Sequence, residues 1–279
     1  MVANLKNIVL VPTDFSDACT NAAKQAIDAA KLLNYKVVLL HVINSESLVY
    51  QQAEDTLVHD INAKLKTLSQ DLMSLGGVRV EYLSREGSIF TTIGDIATEI
   101  GANLIFLGTH GKVGIQRIIG SFALKVVISS PVPVVVVQKR PFDKGYKDII
   151  FPVTSDSGSW EKAKWAVYIS RQFNATIHLL LIGDASENVK NTANQIANYF
   201  EKNAVSFSYK ETEKHSHFAR QTIEYASSNN ADLIMIMTNP DKGYINFLLD
   251  SFDEEIIFNN SQIPVMCVNP RKLNYDLIA

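Results

Sequence analysis

Leu107-Gly108-Thr109-His110-Gly111-Lys112-Val113-Gly114 follows directly on the apolar run Ala102-Asn103-Leu104-Ile105-Phe106 and leads through residues 115–119 to Gly120-Ser121-Phe122. An apolar run that stops at clustered glycines reads as a buried strand ending in a loop. Without a Cβ, glycine lets backbone N–H groups approach an anion closely and adopt the turns that a phosphate cradle needs. Gly120-Ser121 is expected to open a helix over Phe122 to Ser130, and a helix N-terminus attracts negative charge. A turn with a capping serine accounts for the same residues, so both readings stand at this point.

Working outward, the rest of the chain alternates in the same way. Lys6 to Pro12 reads as a strand with a continuous apolar run, as strands buried on both faces of a parallel sheet have. Asp14-Phe15-Ser16-Asp17 supplies helix-capping residues, and the helix runs to about Asn34 with Ala22, Ala26, Ala29, Ala30 and Leu33 on one face. Strands are expected at Lys36 to Ile43, Val78 to Leu83, Asn103 to Leu107 and Val132 to Gln138. A loop and helix occupy Ser45 to Leu75, where Leu57, Ile61, Leu65, Leu68 and Leu72 recur at helical spacing, and a further helix covers Ile89 to Ile100. Alternating strands and helices make an α/β fold with a parallel sheet.

The second half repeats the first. Asp148 to Pro152 echoes the strand ending at Pro12, Asn174 to Leu181 echoes Asn34 to His41, Ala231 to Ile236 echoes Ala102 to Leu107, and Gln262 to Val268 echoes Pro131 to Val137. The chain therefore reads as two tandem open five-stranded parallel-sheet domains, Rossmann-like or flavodoxin-like, over residues 1–140 and 146–279. The link Arg140-Pro141-Phe142-Asp143-Lys144-Gly145 is short enough for the two to pack together.

Composition narrows the function classes. With 279 residues, 47% of them hydrophobic, the chain can bury two cores. A net charge of −3, from 26 basic and 29 acidic residues without a long basic run, gives no nucleic-acid footprint. Cys19 and Cys267 flank no metal-ligand spacing and read as reduced thiols of a cytoplasmic protein. The run Ile8 to Val11 is too short for a membrane span or a secretory core, so no membrane partner is expected.

In an open parallel sheet, ligands bind beyond the carboxyl ends of the strands where the strand order reverses. In the flavodoxin-like order 2-1-3-4-5 or its relatives, the turn after strand one and the glycine loop after strand four can lie side by side. Asp14 can then accept from a ribose hydroxyl or hold a magnesium ion, and the backbone amides of Gly111, Gly120, Ser121 and Phe122 can receive phosphates. A simple helix cap is the alternative for Asp14.

Pro12-Thr13-Asp14-Phe15-Ser16 after strand one, Leu40-His41-Val42 at the end of strand two, and Gly108-Thr109-His110-Gly111 leading to Gly120-Ser121 together resemble the universal stress protein family, in its ATP-binding branch. The resemblance covers the first domain throughout and the second more weakly. It implies that Asp14 and the backbone at Val42 enclose ribose and adenine, and that Gly108, Gly111, Gly120 and Ser121 hold phosphates. The implied ATP site comprises Pro12, Thr13, Asp14, Val42, Leu107, Gly108, His110, Gly111, Gly120, Ser121 and Phe122, with Mg²⁺ at Asp14. The family commonly dimerises by pairing its last-strand edges, so the resemblance implies an internal pseudo-dimer, with further homo-oligomers open.

One spacing departs from the family pattern, which has nine residues between the second and third of these glycines; Lys112 to Ile119 supplies eight. Removing one residue turns a helical segment by about 100° and shortens it by about 1.5 Å. The second domain departs further: Thr154 stands for Asp14, Met237 and Pro240 for Gly108 and Gly111, Asp250 for Gly120, and Ser216 for Gly87. Proline offers no N–H and a carboxylate repels phosphate, so no triphosphate is expected there.

His41 ends an apolar strand and reads as a packed residue more readily than as a base, whereas His110 can touch a ribose or phosphate. His215 and His217 lack a third ligand nearby. Of Trp160 and Trp165, one packs in the core and the other covers an interface or altered pocket. Lys112 and Arg117 serve phosphate or solvent equally well. No triad, no G-x-x-x-x-G-K-[ST] loop and no group to position water is present, so hydrolysis is expected to be slow or absent. The expectation is thus an ATP-binding, non-enzymatic stress-response or regulatory protein; the alternative is an interaction module that has lost nucleotide binding.

Overall fold

The apolar runs become parallel strands, and each lies between helices that hide its faces. A computed structural model describes residues 6–43, 54–109, 117–142, 145–154, 159–213, 217–238 and 251–270, with only the backbone of 54–57, 117–121 and 251. The chain divides into two compact units, one on each side of residues 142 and 143.

In the first unit the order is β1 (Ile8–Pro12), α1 (Asp17–Leu33), β2 (Lys36–Ile43), α2 (Glu54–Gly76), β3 (Val80–Glu86), α3 (Ile89–Ile100), β4 (Leu104–Gly108), α4 (Arg117–Ser129) and β5 (Val134–Val137). The second unit runs β6 (Asp148–Val153), α5 (Ser159–Phe173), β7 (Thr176–Leu181), α6 (Glu187–Lys202), β8 (Phe207–Glu211), α7 (Phe218–Ser228), β9 (Leu233–Met237), α8 (Ser251–Ile257) and β10 (Val265–Val268). Spatial order is β3-β2-β1-β4-β5 in the first unit and β8-β7-β6-β9-β10 in the second. The order 3-2-1-4-5 sets β1 directly against β4, with Leu10 opposite Ile105, so the chain reverses direction across the sheet between these two strands.

The repeat is visible in backbone detail. α1 and α5 are each followed by an asparagine at positive φ, Asn34 at 55° and Asn174 at 50°, the left-handed turn that ends a helix. The Asn103 side chain accepts from the Ile8 N–H at 3.0 Å, and the Asp232 carboxylate does the same for Lys147 and Asp148 at 2.9 and 3.1 Å. The expected alanine face of α1 is buried throughout, as are Ile61, Leu65 and Leu72 of α2.

Most strand ends shift by one or two residues from the sequence expectation, and two boundaries move further. β3 ends at Glu86 rather than Leu83, because its backbone follows β2 in register from Val37–Val80 to Ile43–Glu86 although its own tail is polar. More consequentially, α4 begins at Arg117, not at Phe122. Gly120 and Ser121 therefore lie in its first turns instead of before it. A single glycine weakens a helix by only about 1 kcal/mol, too little to stop one that the preceding apolar residues favour.

Candidate functional site

The site is built where the chain leaves β1. Thr13 Oγ accepts the Phe15 N–H at 3.0 Å, and Asp14 Oδ1 accepts the Ser16 N–H at 2.9 Å. Ser16 is the N-cap of α1, its hydroxyl accepting from the Cys19 N–H. Asp14 is thus not the cap; it stands two residues ahead, exposed, and fixes the residue that caps. Burial pushes the Asp14 carboxyl upward, but hydrogen bonds from Ser16 and Cys19 outweigh it and hold the group below its ordinary value, ionised at neutral pH. The Cys19 thiol is pushed up to about 11 by burial and by Asp14, so it stays protonated and can donate to that carboxylate.

These local bonds force Phe15 to φ 66°, a conformation that costs a non-glycine residue about 1–3 kcal/mol. Packing compensates: the Phe15 ring stacks on His41, with centroids 4.9 Å apart and planes at 23°, and Lys64 of α2 places its ammonium 5.9 Å from the Phe15 centroid. His41 Nδ1 lies 2.8 Å from the Thr13 carbonyl, which can only accept, so Nδ1 carries the proton. Burial lowers the His41 pKa, with Lys64 adding to the effect, against the Thr13 hydrogen bond and Asp14. Of the two readings of His41, the packed and hydrogen-bonded one is what the structure shows. Val42 follows it, half-buried beside Arg85 of β3.

Gly108 closes β4 on the same rim. A Cβ built there would lie 2.6 Å from the carbonyl carbon and oxygen of Ala18 and 2.7 Å from Cys19 Cα. The first turn of α1 rests directly on this glycine, and the Cys19 side chain reaches Asp14. Two contacts therefore tie the carboxylate turn to the end of β4. They also give Gly108 a packing role that needs no phosphate.

The remaining sequence candidates fall out as follows. Pro12, Thr13 and Leu107 are buried at the strand ends. Phe122 stacks on Phe90 at 5.3 Å, and that ring carries the Lys125 ammonium at 4.5 Å, so its side chain joins α3 to α4. Gly120 and Ser121 lie on the backbone of α4; His110, Gly111 and Lys112 lie outside the described residues. No group of three or more His, Cys, Asp or Glu side chains that could hold a metal ion occurs among the described residues. His217 is exposed ahead of α7, and His215 lies outside the described residues.

In the second unit Thr154 takes the place of Asp14, and Met237, 2% exposed, that of Gly108. α5 starts two residues later relative to the shared proline, Pro152 to Ser159 against Pro12 to Asp17. Lys162, at the position of Ala22, is buried with Nζ 2.7 Å from the Pro152 carbonyl and 4.1 Å from the Phe151 ring centroid. Pro240, Asp250 and Ser216 lie outside the described residues. Trp165 is buried; Trp160 is 47% exposed and edge-on to Tyr199. Sequence reading missed the Phe15–His41 stack, Lys64 and Lys162, since each depends on which helix face meets which strand end.

Comparison with known proteins follows this division of the chain. The universal stress protein family model matches residues 6–138. A universal stress protein of Methanocaldococcus jannaschii is 33% identical over 144 residues, 49% of this chain and 84% of that one. One from Synechocystis sp. is 30% identical over 135 residues, 46% and 83% of the two chains. A solved universal stress protein from Archaeoglobus fulgidus superposes with a TM-score of 0.80 over 96% of this chain and 98% of its own, at 14% identity, which shows a shared fold. No helix among the described residues is long and apolar enough to cross a membrane. With 33% of 144 aligned residues identical across 84% of the length of a curated relative, on the parallel sheet just described, the chain belongs to the universal stress protein family.

Proposed function

We propose that this protein acts in the stress response as a nucleotide-binding regulator, that its first unit binds ATP with Mg²⁺, and that its second unit is a partner without triphosphate affinity. The observation that carries the reading is the meeting of an ionised, exposed Asp14 and the narrow end of β4 at one rim of the sheet, joined through Ala18 and Cys19. There Asp14 Oδ2 faces a ribose hydroxyl, the backbone at Val42 meets the adenine edge, and the segment after Gly108 through His110 and Gly111 to Gly120 and Ser121 takes the phosphates. With Asp14 as its carboxylate ligand, Mg²⁺ would be held mainly by phosphate oxygens and water, as that ion prefers. No described group is placed to activate water against a γ-phosphate, so the nucleotide acts as a ligand that shifts populations rather than as a substrate.

Calorimetric titration of the full chain with ATP, ADP and AMP tests this. Saturable binding of ATP, weakened at least about tenfold in Asp14→Ala with an unchanged circular dichroism spectrum, is the expected result. Equal, weak heats for all three nucleotides in both proteins would overturn it. The start of α4 at Arg117 favours a second reading, because it turns the Gly120 and Ser121 amides into a helix interior. On that reading the chain is an interaction module without nucleotide, and added ATP leaves its melting temperature unmoved.

A further inference from the structure

The second unit carries a polar relay at the opposite end of its sheet from the rim. His178 of β7 places Nδ1 2.9 Å from Ser208 Oγ of β8 and Nε2 3.0 Å from Asp148 Oδ1 at the start of β6. The carboxylate accepts, so Nε2 carries the proton and Nδ1 keeps a lone pair for the serine O–H. The Tyr225 ring of α7 meets the imidazole edge-on at 6.2 Å and limits its rotation. The imidazole is 16% exposed and the Asp148 side chain 37%, while Ser208 is half-buried on the outermost strand.

The fold does not require these residues, and the first unit shows why. Leu10 pairs with Val38 and Val38 with Glu81, in the same register as Ile150 with His178 and His178 with Ser208. Counted from the shared proline, Ile8 occupies the place of Asp148. The first unit therefore builds this corner from two core apolar residues and an ion-paired glutamate, and the second builds it from a hydrogen-bonded Asp–His–Ser line.

The edge strand adds a donor. The Ile177 N–H bonds the Ser206 carbonyl and the Thr212 N–H the Leu181 carbonyl, so even-numbered residues of β8 turn their amides toward β7. The N–H groups of Phe207, Tyr209 and Glu211 then point away from the sheet, and β8 ends the strand order. The Tyr209 amide directly follows Ser208.

We infer that Ser208 is a nucleophile for acyl transfer from small carboxylic esters, with His178 as its base and Asp148 as the residue that positions the imidazole. As Ser208 Oγ bonds to the ester carbonyl carbon, its proton passes to His178 Nδ1 and the oxyanion accepts from the Tyr209 N–H. The bond to the leaving oxygen then breaks, that oxygen takes the proton from Nδ1, and an acyl-serine remains. Water delivered by the same nitrogen releases the acid and restores the hydroxyl.

The test uses the full chain with p-nitrophenyl acetate as the probe. A burst of p-nitrophenolate and an acetyl adduct on the Ser208 peptide are expected, with both lost in Ser208→Ala. His178→Gln should slow acylation at least about hundredfold, the usual worth of a positioned base. Asp148→Asn should lower the acylation rate while its dependence on ester concentration stays the same, because an amide donor at Nε2 moves the proton to Nδ1. Ser208→Cys, which keeps a nucleophile, should acquire the adduct as a thioester and covers the case in which the alanine variant is misfolded. Wild-type protein labelled only on lysines, or a Ser208 adduct that forms equally fast in His178→Gln, overturns the inference.

Discussion

Gly108→Ala asks whether α1 sits as close to β4 as the structure places it. The new methyl would lie 2.6 Å from Ala18 backbone atoms and 2.7 Å from Cys19 Cα, close to 1 Å inside the ordinary contact distance. These are helix backbone atoms with no rotamer to move, so α1 must tilt or β4 must bend. Overpacking of this kind costs about 1–3 kcal/mol. At about 2–4 °C per kcal/mol for a domain of this size, a cost near 2 kcal/mol lowers the melting temperature of the first unit by about 4–8 °C.

Both tryptophans, Trp160 and Trp165, lie on α5 of the second unit, so their fluorescence follows that unit alone. In urea, Gly108→Ala should move the far-ultraviolet circular dichroism transition to lower denaturant and leave the fluorescence transition in place. A change below about 0.3 kcal/mol, the scatter of additivity between distant sites, would refute the close approach. Nucleotide titration of the same variant separates the two explanations of the glycine. Affinity lost without stability would assign Gly108 to the ligand; stability lost, with affinity following, assigns it to seating the helix that carries the Asp14 turn.

Proton linkage gives two signs to check. Asp14 and His41 both have lowered folded pKa values, so each is fully stabilising above its unfolded value, 3.8 and 6.5 respectively, and that stability is lost as pH falls from there through the lower folded value. Melting of the first unit by circular dichroism should fall between about pH 7.5 and 5.5, with a smaller fall in His41→Gln, and Asp14→Asn should flatten the acid limb while enlarging the His41 fall, because it removes a charge that raises the His41 pKa. Trp165→Ala should cost about 3–5 kcal/mol in urea unfolding, as buried aromatic truncations do. Trp160→Ala should cost about 1 kcal/mol, the worth of an exposed edge-on aromatic pair with Tyr199.

What the sequence made legible were features that a single element can carry. β1, β2 and β4 were readable because a strand covered on both faces has to be apolar without interruption, and the paired asparagines and prolines placed the repeat. The start of α4 was misread because Gly120 was taken as punctuation, although one glycine is a small penalty inside a helix. Asp14 was read correctly as a rim residue, but its bond to Ser16, and the strained Phe15 that results, depend on torsion angles no pattern encodes. The Asp148–His178–Ser208 line was invisible for a different reason. Its members lie 30 residues apart on three strands, and His178 looked like one polar residue in an apolar run until strand register put the three on one face.

The differences between the two copies follow from where the fold leaves freedom. Side-chain acceptors for the backbone N–H groups at the strand starts persist, as Asn103 and Asp232 show, since an orphaned buried N–H costs about 1–3 kcal/mol whatever the ligand. Strand ends and edge strands carry no such demand. A copy that had merely lost its ligand would be expected to fill its rim with apolar side chains. The second unit does so at Met237, yet beside it buries Lys162 against a carbonyl, and at the far end of the same strands exchanges Ile and Val for Asp and His in mutual hydrogen bonds. Burying polar groups gains little stability over apolar packing even when every partner is supplied, so stability does not account for these exchanges. The acyl-transfer role proposed for Ser208 would account for them, at a corner where the first unit carries Ile8, Val38 and Glu81.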